Sequence, residues 1–120
     1  MKTLTRITAL LLLSSLVFAF GEKQFTMQPP IAYEDGSPLP PQDILEYRLY
    51  CDDETVTPVY VQPNLPNTRT TIDAPANTFM SGTHTCFATA VDNDGTESGP
   101  SNAVNFTVPL PRPNPPILVE

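Results

Sequence analysis

An all-β domain, a sandwich of two antiparallel sheets, is the fold this sequence predicts between Met27 and Val108. Three observations carry it. The block from Pro29-Pro30 to Leu39 is turn chemistry, Tyr47-Arg48-Leu49-Tyr50-Cys51 alternates as a strand, and Gly82 to Phe106 reads as strand, acidic turn and strand. All 15 prolines lie beyond the first 21 residues, and no long segment there has helical periodicity. Proline lacks the N–H donor and breaks helices and central strands, so the chain must be short strands joined by turns.

Each element follows from its local pattern. Gln24 to Gln28 alternates, placing Phe25 and Met27 on one face until Pro29-Pro30 stops it. Glu34-Asp35-Gly36-Ser37-Pro38 is a turn. Ile44 to Cys51 follows, with Tyr47, Leu49 and Cys51 sharing a face, and Asp52-Asp53-Glu54 ends it. Val59 to Gln62 lies between Pro58 and Pro63, which marks an edge strand, where a missing donor does little harm. Arg69 to Ile72 is another short strand. Thr83 to Val91, opened by Gly82, directs His84, Cys86, Ala88 and Ala90 to one side. Asp92-Asn93-Asp94-Gly95 turns the chain, and Asn102 to Val108 closes the pattern with Val104, Phe106 and Val108 inward.

The ends differ from this body. Lys2 and Arg6 precede an apolar run through Phe18, too short to span a bilayer comfortably, and Val17-Phe18-Ala19 fits a cleavage site. Residues 1–19 therefore read as a secretory signal peptide, with Ala19-Phe20-Gly21 a second site for cleavage after 21. The expected domain is 22–108, secreted or periplasmic, with no membrane insertion once the signal is removed. Residues 109–120 form a tail with Pro109, Pro111, Pro113, Pro115 and Pro116, expected to be extended and semi-rigid. It ends in an apolar Ile117-Leu118-Val119 that a plain linker would not need.

Charge narrows the partners. All 13 acidic residues lie beyond Gly21, against Lys23, Arg48, Arg69 and Arg112, so four minus thirteen leaves −9 on the exported chain. Such a surface repels phosphate backbones and anionic membranes, which excludes nucleic acid as an expected partner. Two cysteines in an exported chain point to one disulfide, Cys51–Cys86. Closing about 34 residues, it contributes on the order of 3–4 kcal/mol by chain entropy, which matters in a domain this small.

These residues resemble a family. Phe25 to Pro30, Glu34 to Leu39 and Tyr47 to Tyr50 look like the B-to-C region of a fibronectin type III domain, an immunoglobulin-like sandwich. Gly82-Thr83-His84 through Asp92, Gly95 to Ser98 and Ser101-Asn102 look like its F and G strands, in the form common in exported bacterial proteins. The resemblance covers about 80 residues. It implies that Cys51 and Cys86 lie on adjacent strands, both facing inward. Met27 stands where the family usually has tryptophan, and His84 where it usually has the tyrosine whose hydroxyl bonds back to the backbone; an imidazole could donate instead. A bridge at Cys51–Cys86 would compensate for that weakened core. The resemblance also implies a strand A before Phe25, for which the exported chain has no room. A seven-strand-type sandwich is expected, with strand A either missing or supplied by the tail, whose Pro113 to Val119 looks like a proline-led strand A in the wrong place. Folding back on its own domain, strand addition to another subunit and a loose tail all remain open.

Chemistry is sparse. His84 is the only histidine, and its inward position favours a structural role over a catalytic one. Asp92-Asn93-Asp94-Gly95 with Glu97 has only part of a calcium-loop pattern and reads as a solvated turn. No zinc spacing, phosphate-cradling loop or nucleophile elbow is present, so no enzyme activity, metal or cofactor is expected. Asn105-Phe106-Thr107 is a glycosylation sequon on an outward position, which the bacterial resemblance reduces to chance. Tyr33, Tyr50 and Tyr60 are candidates for an outer face or loops. The expected function is an exported, non-catalytic module binding a protein or surface glycan. Its candidate contact loop is Asp92, Asn93, Asp94, Gly95, Thr96 and Glu97, by family analogy. The alternative is a structural subunit that self-associates by strand addition through Ile117, Leu118 and Val119.

Overall fold

The computed structural model describes residues 23–120, so the expected signal peptide and its expected cleavage sites lie outside the described residues. Six strands follow in order: β1 (Lys23–Thr26), β2 (Ile44–Cys51), β3 (Tyr60–Pro63), β4 (Thr71–Ala74), β5 (Gly82–Asp92) and β6 (Val104–Val108). One 3-10 turn, Pro41–Asp43, leads into β2. All pairings are antiparallel. One sheet has the order β3-β2-β5-β6, the other is β1-β4, and the two enclose the core as an immunoglobulin-like, fibronectin type III-like sandwich. The order puts β3 at an edge, which suits Pro58 before it and Pro63 as its last residue.

The period-two reading of β2 and β5 holds in register. Tyr47 faces Ala90, Leu49 faces Ala88 and Cys51 faces Cys86, all on the inner side. Leu49, Cys86 and, from β4, Ile72 are nearly without solvent contact. Burying such side chains is worth about 1.5–3 kcal/mol each for the aliphatic ones. In place of a tryptophan, Phe25, Phe79 and Phe106 pack edge-to-face, with centroids 4.9–6.4 Å apart. Phe79 comes from the 75–81 connection, which strand periodicity cannot flag. Tyr60 also points inward against this core rather than lying on an outer face.

The disulfide is formed, with the two Cα atoms 4.1 Å apart. The next pair along, Asp52 and Thr85, is hydrogen-bonded through the Asp52 N–H at 2.9 Å. Cys51–Cys86 therefore occupies the closely spaced, non-hydrogen-bonded site of the ladder, where opposed side chains come nearest.

Beyond the turn after β5, the chain does not resume a ladder at once. Pro100 has no N–H to give. Ser98 and Ser101 replace the missing bonds: their N–H groups donate to the carbonyls of Ala90 and Ala88, both at 2.8 Å. Their hydroxyls accept the N–H groups of those same residues, both at 2.9 Å. The regular strand β6 begins only at Val104.

Two expectations about the ends meet the structure differently. Among the described residues no strand pairs with the outer side of β1, so that edge of the β1-β4 sheet is open. The tail does not supply that strand to its own domain: residues 109–120 form no strand, and Ile117, Leu118 and Val119 are about nine-tenths exposed.

Reducing the Cys51–Cys86 bridge should lower unfolding stability by about 3 kcal/mol, read from urea melts with and without reductant. Native protein should show no reactive thiol in a thiol assay; two reactive thiols would contradict the bridge.

Candidate functional site

At the end of the sandwich where Ile44 faces Asp92, the loop 30–39 and the return 92–99 stand apart and enclose a cleft of about 350 Å³. Its floor is apolar, from Leu39, Ile44, Ala90 and Val91; Tyr33, Glu34, Asp35 and Thr96 form the rim. The loop wall is held by its own turn. Asp35 Oδ1 accepts both the Ser37 N–H (2.9 Å) and the Ser37 hydroxyl (2.6 Å), and Gly36 has φ +88°, a conformation L side chains rarely adopt. These bonds hold the Asp35 carboxyl below the usual range, the Ser37 hydroxyl contributing most.

Asp92 organises the opposite wall. Its Oδ1 accepts the N–H groups of Asp94 (3.0 Å) and Thr96 (2.9 Å), and Gly95 turns the chain at φ +86°. The Thr96 N–H is the main reason the Asp92 carboxyl sits below its ordinary value. Its Oδ2 accepts the Tyr33 hydroxyl at 3.1 Å, which ties the two walls together across the cleft. Keeping company with that anion raises the Tyr33 phenol. Asn93 anchors the turn from below, donating its N–H to the Asp43 carbonyl and its amide to the Gln42 carbonyl.

Glu97 reaches the other way, over the outer face of the larger sheet. It accepts the hydroxyls of Thr89 (2.6 Å) and Tyr50 (2.5 Å) on one oxygen and the Arg48 guanidinium (3.2 Å) on the other. Those bonds, Thr89 first, hold its carboxyl down. Burial raises the Tyr50 phenol, and its ring stacks on Phe87 at 5.2 Å.

The six residues of the predicted contact loop thus divide by role. Asp92, Asn93, Gly95 and Glu97 shape and anchor the return, while Asp92, Thr96 and Glu97 also border the cleft. The three tyrosines share no face: Tyr33 is at the cleft, Tyr50 is buried against Phe87 and Tyr60 is inside the sandwich. The loop 30–39 is the half of the site that sequence reasoning missed. Tyr33 was its one legible signal, an aromatic within a run of turn residues.

His84 lies at the opposite end. Its Nε2 faces the Met80 carbonyl at 2.6 Å and its Nδ1 faces the Asp52 carboxylate at 2.6 Å. A carbonyl only accepts, so Nε2 carries a proton; the carboxylate asks the same of Nδ1. The imidazole thereby makes the bond back to the upstream backbone expected of a corner tyrosine. The Asp52 bond is the chief reason its pKa is raised, and the same bond lowers that of Asp52.

No protein-family model matches the chain, and no curated protein matches it. Among solved structures, the fibronectin(III)-like modules of Clostridium thermocellum CbhA are similar. The match has a TM-score of 0.46 at 16% identity, covering 78% of this chain and 83% of that one.

The His84–Asp52 pair should give the fold a defined pH dependence. A raised histidine stabilises fully below its unfolded value of about 6.5 and loses that contribution as pH rises through the folded value. A lowered aspartate stabilises above its unfolded value of about 3.9 and loses that as pH falls. The melting temperature should therefore decline between pH 6 and 9, and His84→Gln should flatten that decline. An equal slope in both proteins would contradict the pairing.

Proposed function

We propose that this chain is an exported, non-catalytic interaction module, secreted or periplasmic, that holds a protein or surface glycan in the cleft between loop 30–39 and the return 92–99. The disulfide is compatible with such a location. Fold alone assigns no ligand, so the proposal rests on the cleft. The carrying observation is the Tyr33–Asp92 bond, which joins the walls before any ligand arrives. A preformed site loses less conformational entropy on binding. An apolar floor under a rim of oxygen acceptors suits a ligand with a hydrophobic body and outward N–H or O–H donors. The rim carboxylates Glu34 and Asp35, with Asp92 in the wall, favour donors that carry positive charge.

A non-catalytic reading agrees with the placement of the acid–base groups. The sole histidine is at the far end of the sandwich, with both ring nitrogens engaged. Within the cleft, Asp92 holds the turn and Glu97 holds the sheet, so neither is poised to exchange protons with a ligand.

Amide spectra of the isotopically labelled protein, titrated with arginine-containing peptides and separately with neutral oligosaccharides, test this reading. Shifts should concentrate at Tyr33 to Asp35 and Thr96 to Ser98 with one of the two probe classes. Tyr33→Ala should weaken that binding about tenfold. Shifts confined to another face, or unchanged affinity in the variant, would overturn it.

A further inference from the structure

The open side of the small sheet and the composition of the tail fit one another. In β1, the N–H of Met27 donates to the Thr70 carbonyl at 2.9 Å, so the odd-numbered residues Lys23, Phe25 and Met27 turn their backbone groups toward β4. The backbone groups of Gln24, Thr26 and Gln28 then face outward, and among the described residues nothing bonds them. Beside this edge runs a groove of about 530 Å³, between Phe25–Gln28 and the segment Ser101–Val104. Phe25, Met27, Leu49, Ile72, Ala88 and Val104 give it an apolar lining. Val104, inward by register with Cys86, is still 42% exposed, and among the described residues nothing covers it there.

The tail has the matching pattern. Along an extended strand, side chains and backbone groups both alternate, so residues of one parity share a face and an edge. Pro109, Pro111, Pro113 and Pro115 are all odd, while Leu110, Arg112 and Asn114 keep their N–H donors on the even edge. From 109 to 115 only the even edge can donate to a neighbour, and the odd edge is closed to a further strand there. The odd residues present one apolar face, prolines followed by Ile117 and Val119. Pro116 removes a single donor from the even series before Leu118 restores it.

We propose that residues 109–120 add as an edge strand to β1 of a second copy of this chain, with the odd side chains filling the groove. The second copy, rather than the same one, is the occupant for a geometric reason. Val108 pairs with Gly82, and Phe106 packs on Phe25, so the tail leaves at the Lys23 end of β1. To enter its own groove it must reverse direction at once. The alternating prolines from 109 to 113 hold it extended, and the segment has no glycine to make the turn. In the structure these residues stand exposed, away from their own groove. A head-to-tail contact of this kind propagates unless it closes into a ring.

Sedimentation of the exported, disulfide-bonded protein across a concentration series tests the proposal. It is run beside a version ending at Val108 and two tail variants, Ile117→Asp/Val119→Asp and Leu118→Asp. All three substituted residues are exposed, so each variant should keep the native circular-dichroism spectrum. Association that grows with concentration in the full chain and in Leu118→Asp, but is lost in the odd-parity variant and the shortened version, is the expected result. A monomer throughout overturns the proposal, as does association that survives removal of the tail or is lost equally in both tail variants. A monomer whose melting temperature falls on tail removal would place the tail on its own domain and overturn it equally.

Discussion

The antiparallel pairing of β2 with β5 is the constraint on which the rest of this molecule depends. These are the two longest strands, and each other strand of the larger sheet attaches to one of them. Their inner faces supply Tyr47, Leu49, Cys51 and Cys86 to the core. One end of the pair is locked by the Cys51–Cys86 bond, and just beyond it lie Asp52 and His84. The other end, where Ile44 faces Asp92, sets the separation of the cleft walls. A slip of one residue would invert every side chain, taking both cysteines out of reach and Leu49 out of the core.

The molecule handles its negative charge by giving its central carboxylates structural tasks. Asp35 and Asp92 accept backbone N–H groups in turns, Asp52 binds a histidine, and Glu97 gathers two hydroxyls and a guanidinium. Each is held in the ionised form by the donors around it, which adds stability at neutral pH. Asp92 thereby shapes an acidic turn that carries part of a calcium-loop pattern in sequence. Both carboxylate oxygens of Asp92 already have partners within the chain.

The two sheets are unequal in their hold on solvent. The larger sheet covers part of its outer face with the return through Glu97 and Ser98 and with the Tyr50–Phe87 stack. The small sheet has two strands and an open edge among the described residues. Exposed backbone edges are templates for another strand, and natural proteins blunt or cover them. The cleft and this edge are distinct surfaces, one lying between the loops at the Asp92 end, the other along β1.

By itself the sequence determined that β2 and β5 are strands and which face each buries, because alternation in Tyr47-Leu49-Cys51 and His84-Cys86-Ala88 is a local property that burial enforces. It also determined the turns at Gly36 and Gly95, where a positive φ needs glycine, and the cross-strand disulfide once the family resemblance set the strands side by side. Tertiary structure alone decided what depends on distant segments meeting. Phe79 enters the core from a connection without periodicity, and Tyr60 points inward because β3 pairs with β2 in that register. Tyr33 meets Asp92 across 59 positions of sequence to close the cleft wall. Ser98 and Ser101 show the boundary between the two: their types were legible as a motif, but that their hydroxyls stand in for a ladder beside Pro100 requires β5 to be in place, since a hydrogen bond is specified by both of its ends.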